Sequence, residues 1–108
     1  MATEYIVVFC TVPNKATAQK IARHLVEEKL AACCNIIPRL TSIYTWENKI
    51  QEDAEYLLLI KTQKMIFSRL EDRIKEMHPY SIPEIIALPI IQGNKEYLKW
   101  IGENVEER

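Results

Sequence analysis

Hydrophobic residues in this chain form short continuous runs that alternate with segments of helical spacing. Tyr5–Cys10 is apolar and rich in β-branched residues, which predicts a first strand. After Pro13, the side chain of Asn14 can cap a helix, and apolar residues then recur at helical spacing from Ala18 to Val26. The chain is therefore expected to begin with a strand followed by an amphipathic helix.

The next part of the pattern predicts a long β-hairpin. Cys33–Trp46 has strand character but contains Pro38, which removes a ladder donor and indicates an edge position or a bulge. Glu47–Lys49 is a predicted turn, and Ile50–Lys61 returns as a third strand. The first arm alone extends about 40 Å, more than the width of about 34 Å expected for a compact domain of this length. The tip of the hairpin is therefore predicted to project.

The last third of the chain predicts two more helices and one more strand. Apolar residues recur at helical spacing over Ile66–Met77, and Pro79 ends that helix. Glu84–Ile91 is a predicted fourth strand, and its prolines again favour an edge position. A short helix is expected after Gly93.

The resulting order βαββαβα indicates an α+β class. Its first six elements match the ferredoxin-like split βαβ motif, with an extra C-terminal helix and an antiparallel sheet. In that motif strands 1 and 3 are central, which agrees with their continuous apolar runs, and the proline-bearing strands 2 and 4 lie outside. With no linker or repeat in 108 residues, a single domain over residues 1–108 is expected.

Strands 1, 3 and 4 are apolar on both faces, which predicts association between copies. Two helices cover only one face of such a sheet, and the other face would normally alternate to polar residues. A large open apolar face is an association surface. The projecting hairpin carries Ile43, Tyr44 and Trp46, which are typical interface anchors. We therefore expect an oligomer that packs sheet against sheet; a hairpin folded back on its own core is the alternative.

Composition narrows the class of protein further. The chain is 48% hydrophobic and 27% charged, which excludes disorder, and its 14 basic and 15 acidic residues give a net charge of −1. A nucleic-acid partner would call for a basic face, and a membrane span for an apolar run of about 18 residues, so neither partner is expected. With no signal-peptide pattern and three cysteines, an odd number, we expect reduced thiols and a cytoplasmic location.

The predicted topology brings three chemically interesting residues to one end of the sheet. Cys10 ends strand 1, and Met77 and His78 end helix 2, so the three are plausible neighbours. Thiolate and thioether suit Cu(I), and imidazole suits copper or zinc. Each also has a structural alternative, as a buried small hydrophobe, a core residue or a helix-end histidine. Cys10 with His78 as nucleophile and base lacks an oxyanion loop and an orienting residue, so a non-enzymatic protein is expected.

Other polar candidates stay open at this level. Lys61 either covers the edge of the hydrophobic core or faces an anion. Glu84 either orients an imidazole or accepts a hydrogen bond from a backbone amide. Cys33 and Cys34 are interpreted as structural. The acidic group Glu52, Asp53 and Glu55 is interpreted as a solvated hairpin face.

Short blocks of this sequence, in a matching order and spacing from Tyr5 to Ile101, resemble the CutA family, the divalent-cation tolerance proteins. The main blocks are Thr11–Asn14, Glu28–Cys33, Asn35–Pro38, Thr41–Tyr44, Ile60–Thr62, His78–Tyr80 and Pro83–Glu84. The resemblance implies a tight homotrimer of ferredoxin-like subunits, a cytoplasmic location in bacteria and a role in tolerance to divalent metals. Copper is the metal it implies first, with other divalent cations as further candidates.

The resemblance also implies where ligands would bind. Its copper ligands correspond to Cys10, Met77 and His78, although Met77 stands where the family pattern has a second histidine. The alternative is a signalling or scaffold trimer similar to the PII proteins, which binds a small anion or a partner protein between subunits. The residues expected to line that cleft are Lys61, Tyr80 and Glu84, together with the hairpin aromatics.

Overall fold

The computed structural model describes residues 4–107, which form a four-stranded sheet, three α-helices and one turn of 3₁₀-helix. The elements in chain order are β1 (Tyr5–Val12), α1 (Lys15–Glu27), β2 (Cys33–Trp46), β3 (Lys49–Gln63), the 3₁₀ turn (Lys64–Ile66), α2 (Phe67–Met77), β4 (Ile85–Pro89) and α3 (Lys95–Glu103).

The strands lie in the order β2-β3-β1-β4, and every neighbouring pair is antiparallel. The two strands with continuous apolar runs are central, and the two that contain proline are at the edges. The predicted ferredoxin-like arrangement with an added C-terminal helix is therefore confirmed. The fourth strand is shorter than the predicted Glu84–Ile91, since the ladder ends at Pro89, opposite Ile6.

The predicted helix start is also confirmed. Asn14 has an extended backbone, and its Oδ1 accepts a 2.8 Å hydrogen bond from the Thr17 amide, one of the amides that a helix N-terminus leaves unpaired. Ile21 and Leu25 on the inner side of α1 are fully buried. The cap defines where α1 begins, and the buried apolar side of the helix packs against the sheet.

The hairpin closes through a two-residue turn that requires unusual backbone angles. Trp46 pairs with Lys49, and the residues between them, Glu47 and Asn48, have φ angles of 51° and 64°. Positive φ at both central positions matches the twist of the flanking strands. Side chains at positions 43–50 are all exposed, and the molecule measures 43 × 26 × 22 Å, as expected for a projecting hairpin.

Pro38 lies in an irregular part of the edge strand, as its lack of an N–H predicts. The register of β2 against β3 shifts between Ile37 and Leu40. Inserted residues at such a bulge bend the strand and increase its twist. The outer half of the hairpin therefore starts from a bend in β2.

The two faces of the sheet are covered unequally. On the helix-covered face, Val8, Cys10, Leu58 and Ile60 are fully buried. On the second face, Ile86 and Leu88 are 52% and 47% exposed, and they lie opposite Phe9 and Val7 of β1.

The last helix covers only part of this second face. A Cβ added to Gly102 of α3 would lie 3.2 Å from Tyr5 Oη and from Gln63 Nε2, so α3 lies against that end of β1 and β3. The part of the face formed by Ile86 and Leu88 stays open in this subunit.

Candidate functional site

His78 follows the last residue of α2 and is held by two hydrogen bonds. Its Nε2 lies 2.7 Å from the Thr11 carbonyl oxygen, and its Nδ1 accepts from the Tyr80 amide at 3.1 Å. Since a carbonyl only accepts, Nε2 carries the proton. The ring is 8% exposed, so this loop is fastened to the end of β1 through a buried imidazole.

Cys10 lies at the same end of the sheet but is completely enclosed. Its Sγ makes a weak 3.9 Å contact with the Thr11 carbonyl oxygen. Burial, with smaller contributions from the carboxylates of Glu84 and Glu55, raises the pKa of the Cys10 thiol to about 12. The thiol is therefore protonated at neutral pH.

The structure brings Cys10 and His78 to one carbonyl, that of Thr11, whereas Met77 packs against the hydrophobic core. Metal ligation needs a free imidazole nitrogen and a deprotonated thiol. Both nitrogens of His78 are engaged, and Cys10 keeps its proton. Within residues 4–107, no three side chains of the types His, Cys, Asp and Glu are grouped so that they could hold a metal ion. As arranged, these three residues do not fit a copper ion.

A cleft of about 710 Å³ opens between the hairpin and the loop that follows α2. The residues that line it are Thr11, Ser42, Ile43, Tyr44, Thr45, Trp46, Glu55, Tyr80, Ser81, Ile82 and Glu84. Two predicted sets of residues meet here: Tyr80 and Glu84 from the expected ligand site, and the three hairpin anchors from the expected interface.

Lys61, which was expected to line a cleft between subunits, is not among the residues that line this cleft of the single subunit. It pairs with Val7 of β1 and with Cys33 of β2, and its Nζ donates to the side-chain oxygen of Asn35. Its cation is therefore held on the body of the sheet rather than at the hairpin.

Glu55 is the residue of this cleft that the sequence interpretation missed. It was placed on a solvated acidic face, yet it is only 6% exposed, and its Oε2 accepts a 2.7 Å hydrogen bond from the Tyr80 hydroxyl. Strand alternation contains the signal, because Glu55 shares a face with Leu57 and Leu59, whereas Glu52 points to the other face.

Tyr80 connects the imidazole to this carboxylate. Its amide donates to His78, its ring lies 4.8 Å from the imidazole, and its hydroxyl reaches Glu55. Burial and the hydrogen bond to Glu55 raise the pKa of Tyr80, so its hydroxyl stays a donor at all physiological pH values.

The cleft is acidic and aromatic. Glu55 and Glu84 are its carboxylates, and none of its described lining residues is lysine, arginine or histidine. Behind the lining, the Tyr44 hydroxyl donates to Asp53, and this hydrogen bond raises the pKa of Tyr44. The described lining therefore carries carboxylates without basic side chains, which favours cations over anions.

The fold is shared with solved structures of a known class of proteins. A family model described as "CutA1 divalent ion tolerance protein" matches residues 6–104. The chain belongs to the CutA1 family, as the resemblance predicted.

Relatives and solved structures agree over nearly the whole chain. The divalent-cation tolerance protein CutA of Thermus thermophilus is 56% identical over 98 residues, which are 91% of this chain and 95% of that protein. Human protein CutA is 50% identical, and the match covers 91% of this chain but 55% of the human protein. The crystal structure of CutA1 from Oryza sativa has a TM-score of 0.95 at 46% identity, covering 98% and 97% of the two chains.

The names of two relatives state different cellular locations. A rice relative is named chloroplastic, and a solved structure from Archaeoglobus fulgidus is titled periplasmic. No helix among residues 4–107 has the length and hydrophobicity to cross a membrane.

Proposed function

We propose that this chain acts in tolerance to divalent cations as a homotrimer assembled through the open face of its sheet. The family supports the role in tolerance. The observation that supports an oligomer is the exposure of Ile86 and Leu88, two large apolar side chains on one face of β4.

The open face has the character of an interface rather than of scattered surface residues. Ile86 lies opposite Phe9, and Leu88 lies opposite Val7, so the apolar side chains are contiguous across β1 and β4. On β3 the same face carries Leu57 and Leu59, and Lys61 lies opposite Val7. Burial of such side chains stabilises an assembly by about 25 cal/mol for each Å² of apolar surface removed from water. A second and third copy would remove this area from water.

The solution mass tests the oligomer directly. Each subunit has a mass of 12.7 kDa, and light scattering coupled to size exclusion should give three times that value at micromolar concentration. A mass of one subunit would overturn the proposal, and a mass of two subunits would overturn the three-fold arrangement.

Copper binding at Cys10, Met77 and His78 stays a prediction of the family resemblance, and the geometry of this subunit does not favour it. The hydrogen bonds of His78 and the protonated thiol of Cys10 argue against a ready site, since a metal would have to displace both. The expected cytoplasmic location also stays a prediction, because relatives bear other location names.

A second candidate function is a trimer that binds a small molecule in the cleft. The observation that favours it is the convergence of Tyr80, Glu84 and Glu55 on one cavity of about 710 Å³, a volume typical of ligand pockets. The described lining residues include two carboxylates and no basic side chain, which favours a cation over a small anion in this part of the site. Thermal shift tests it: a ligand at 100 times its Kd adds about 2.7 kcal/mol, and no shift with cationic, neutral or anionic compounds would overturn it.

A further inference from the structure

We propose that the cleft between the hairpin and the loop after α2 binds a small organic cation, an ammonium group attached to an apolar or aromatic body. This inference rests on the second candidate function, since it names the chemical class of the ligand in that cleft. Three observations support it: the charge of the lining, its aromatic surface, and the fixed position of its buried carboxylate.

The charge of the lining selects for a cation. Glu55 and Glu84 bring two carboxylates to one cavity that contains no basic side chain among its described lining residues. Glu55 is 6% exposed, and its Oε2 is paired with Tyr80. That hydrogen bond does not involve the other carboxylate oxygen, Oε1, which can therefore accept from a donor on the ligand. A charge-assisted hydrogen bond from an ammonium group would satisfy it.

The aromatic surface selects for an organic cation over a hydrated metal ion. Tyr44, Trp46 and Tyr80 all line the cleft and are 40%, 41% and 36% exposed. Aromatic faces attract cations that shed water readily, such as alkylammonium groups, and Trp is the strongest of these faces. Ile43 and Ile82 add apolar walls against which the body of such a ligand would pack.

The buried carboxylate is positioned before any ligand arrives. The Tyr80 hydroxyl holds Glu55, the Tyr80 amide donates to His78 Nδ1, and His78 Nε2 donates to the Thr11 carbonyl oxygen. This chain of hydrogen bonds joins the loop after α2 to β1 and β3. Because the acceptor is already oriented, binding loses little conformational entropy at this group.

Three probes that share an indole body and differ in charge test the class of ligand. Tryptamine is a cation at neutral pH, tryptophol is neutral, and indole-3-acetate is an anion. Isothermal titration calorimetry of the intact protein at low salt should give saturable tryptamine binding at least tenfold tighter than tryptophol, with no binding of indole-3-acetate. Equal affinities for the three probes, or no binding of tryptamine, would overturn the proposal.

Matched variants locate the binding. Glu55→Gln keeps an oxygen acceptor for Tyr80 and removes one charge from the cleft, whereas Glu52→Gln removes the same charge from the opposite face of the same strand. Tryptamine affinity should fall at least fivefold in Glu55→Gln and should change less than twofold in Glu52→Gln, while tryptophol affinity stays constant in both. An unchanged affinity in Glu55→Gln, or an equal fall in Glu52→Gln, would contradict the assigned site.

The solution mass of each variant separates this inference from the proposed assembly. A single-subunit mass with selective tryptamine binding would overturn the trimer and support the cation site. A trimer that binds no tryptamine would overturn the cation site, as when a neighbouring subunit fills the cleft. Glu84→Gln provides an independent check, because this exposed residue lines the same cleft and should also weaken tryptamine binding.

Discussion

The imidazole Nε2 of His78 donates to the Thr11 carbonyl oxygen at 2.7 Å, although 67 positions separate the two residues in the chain. The other ring nitrogen accepts from the Tyr80 amide. One buried side chain thus ties the loop after α2 to the end of β1, and the cleft lies beside this connection. The same bonds occupy the two atoms through which His78 could bind a metal.

Replacing His78 by alanine should destabilise the protein. The change removes both hydrogen bonds and leaves the Thr11 carbonyl oxygen and the Tyr80 amide without this partner, at a cost of about 1–3 kcal/mol. Urea unfolding at a fixed protein concentration measures this cost. His24→Ala is the control, because within residues 4–107 the hydrogen bond of the His24 imidazole is to the Lys20 carbonyl of its own helix. Equal stability of the two variants would show that the His78 contacts contribute nothing.

Cys10 should be unreactive in the folded protein. Burial raises the pKa of its thiol to about 12, so the thiolate, which is the nucleophile, is scarce at pH 8. Iodoacetamide labelling followed by peptide mass spectrometry should show Cys10 modified far more slowly in buffer than in denaturing urea. Rapid native labelling of Cys10 would contradict this geometry and would favour the interpretation of Cys10 as a catalytic nucleophile.

Copper affinity should be nearly independent of Cys10. Since His78 is hydrogen-bonded through both nitrogens and Cys10 is protonated, we expect Cys10→Ser to change the Cu(I) dissociation constant less than twofold under reducing conditions. A competition titration with a chromogenic chelator measures it. Saturable binding of one copper per subunit that is abolished in Cys10→Ser would instead establish the site that the family resemblance implies.

The order of the strands could be predicted because two local signals agree with it. Continuous apolar runs in β1 and β3 require burial on both sides, and Pro38 and Pro89 cannot donate to a ladder, so they favour edges. The turn at Glu47 and Asn48 follows from the pairing of two strong strands around a polar dipeptide. Such features depend on residues close together in the chain.

The candidate site was only partly predictable because its contacts are long-range. The topology placed Cys10 and His78 at one end correctly, but their hydrogen bonds to a backbone carbonyl leave no trace in the sequence. Glu55 lies within an acidic run, and the hydroxyl that pairs with it belongs to Tyr80, 25 residues further along the chain. Lys61 is hydrogen-bonded to Asn35 of the neighbouring strand, and its place near the end of an apolar run did not indicate this partner.

The measurement that tests the central claim most directly is the solution mass of Ile86→Lys beside that of the parent. Ile86 is 52% exposed on the open sheet face, and a lysine there would place a charge in the proposed interface. Val26→Lys is the control, because Val26 is 41% exposed on α1, away from that face. We predict that the parent and Val26→Lys are trimers and that Ile86→Lys dissociates to single subunits. A trimer that persists in Ile86→Lys at every concentration would contradict assembly through this face.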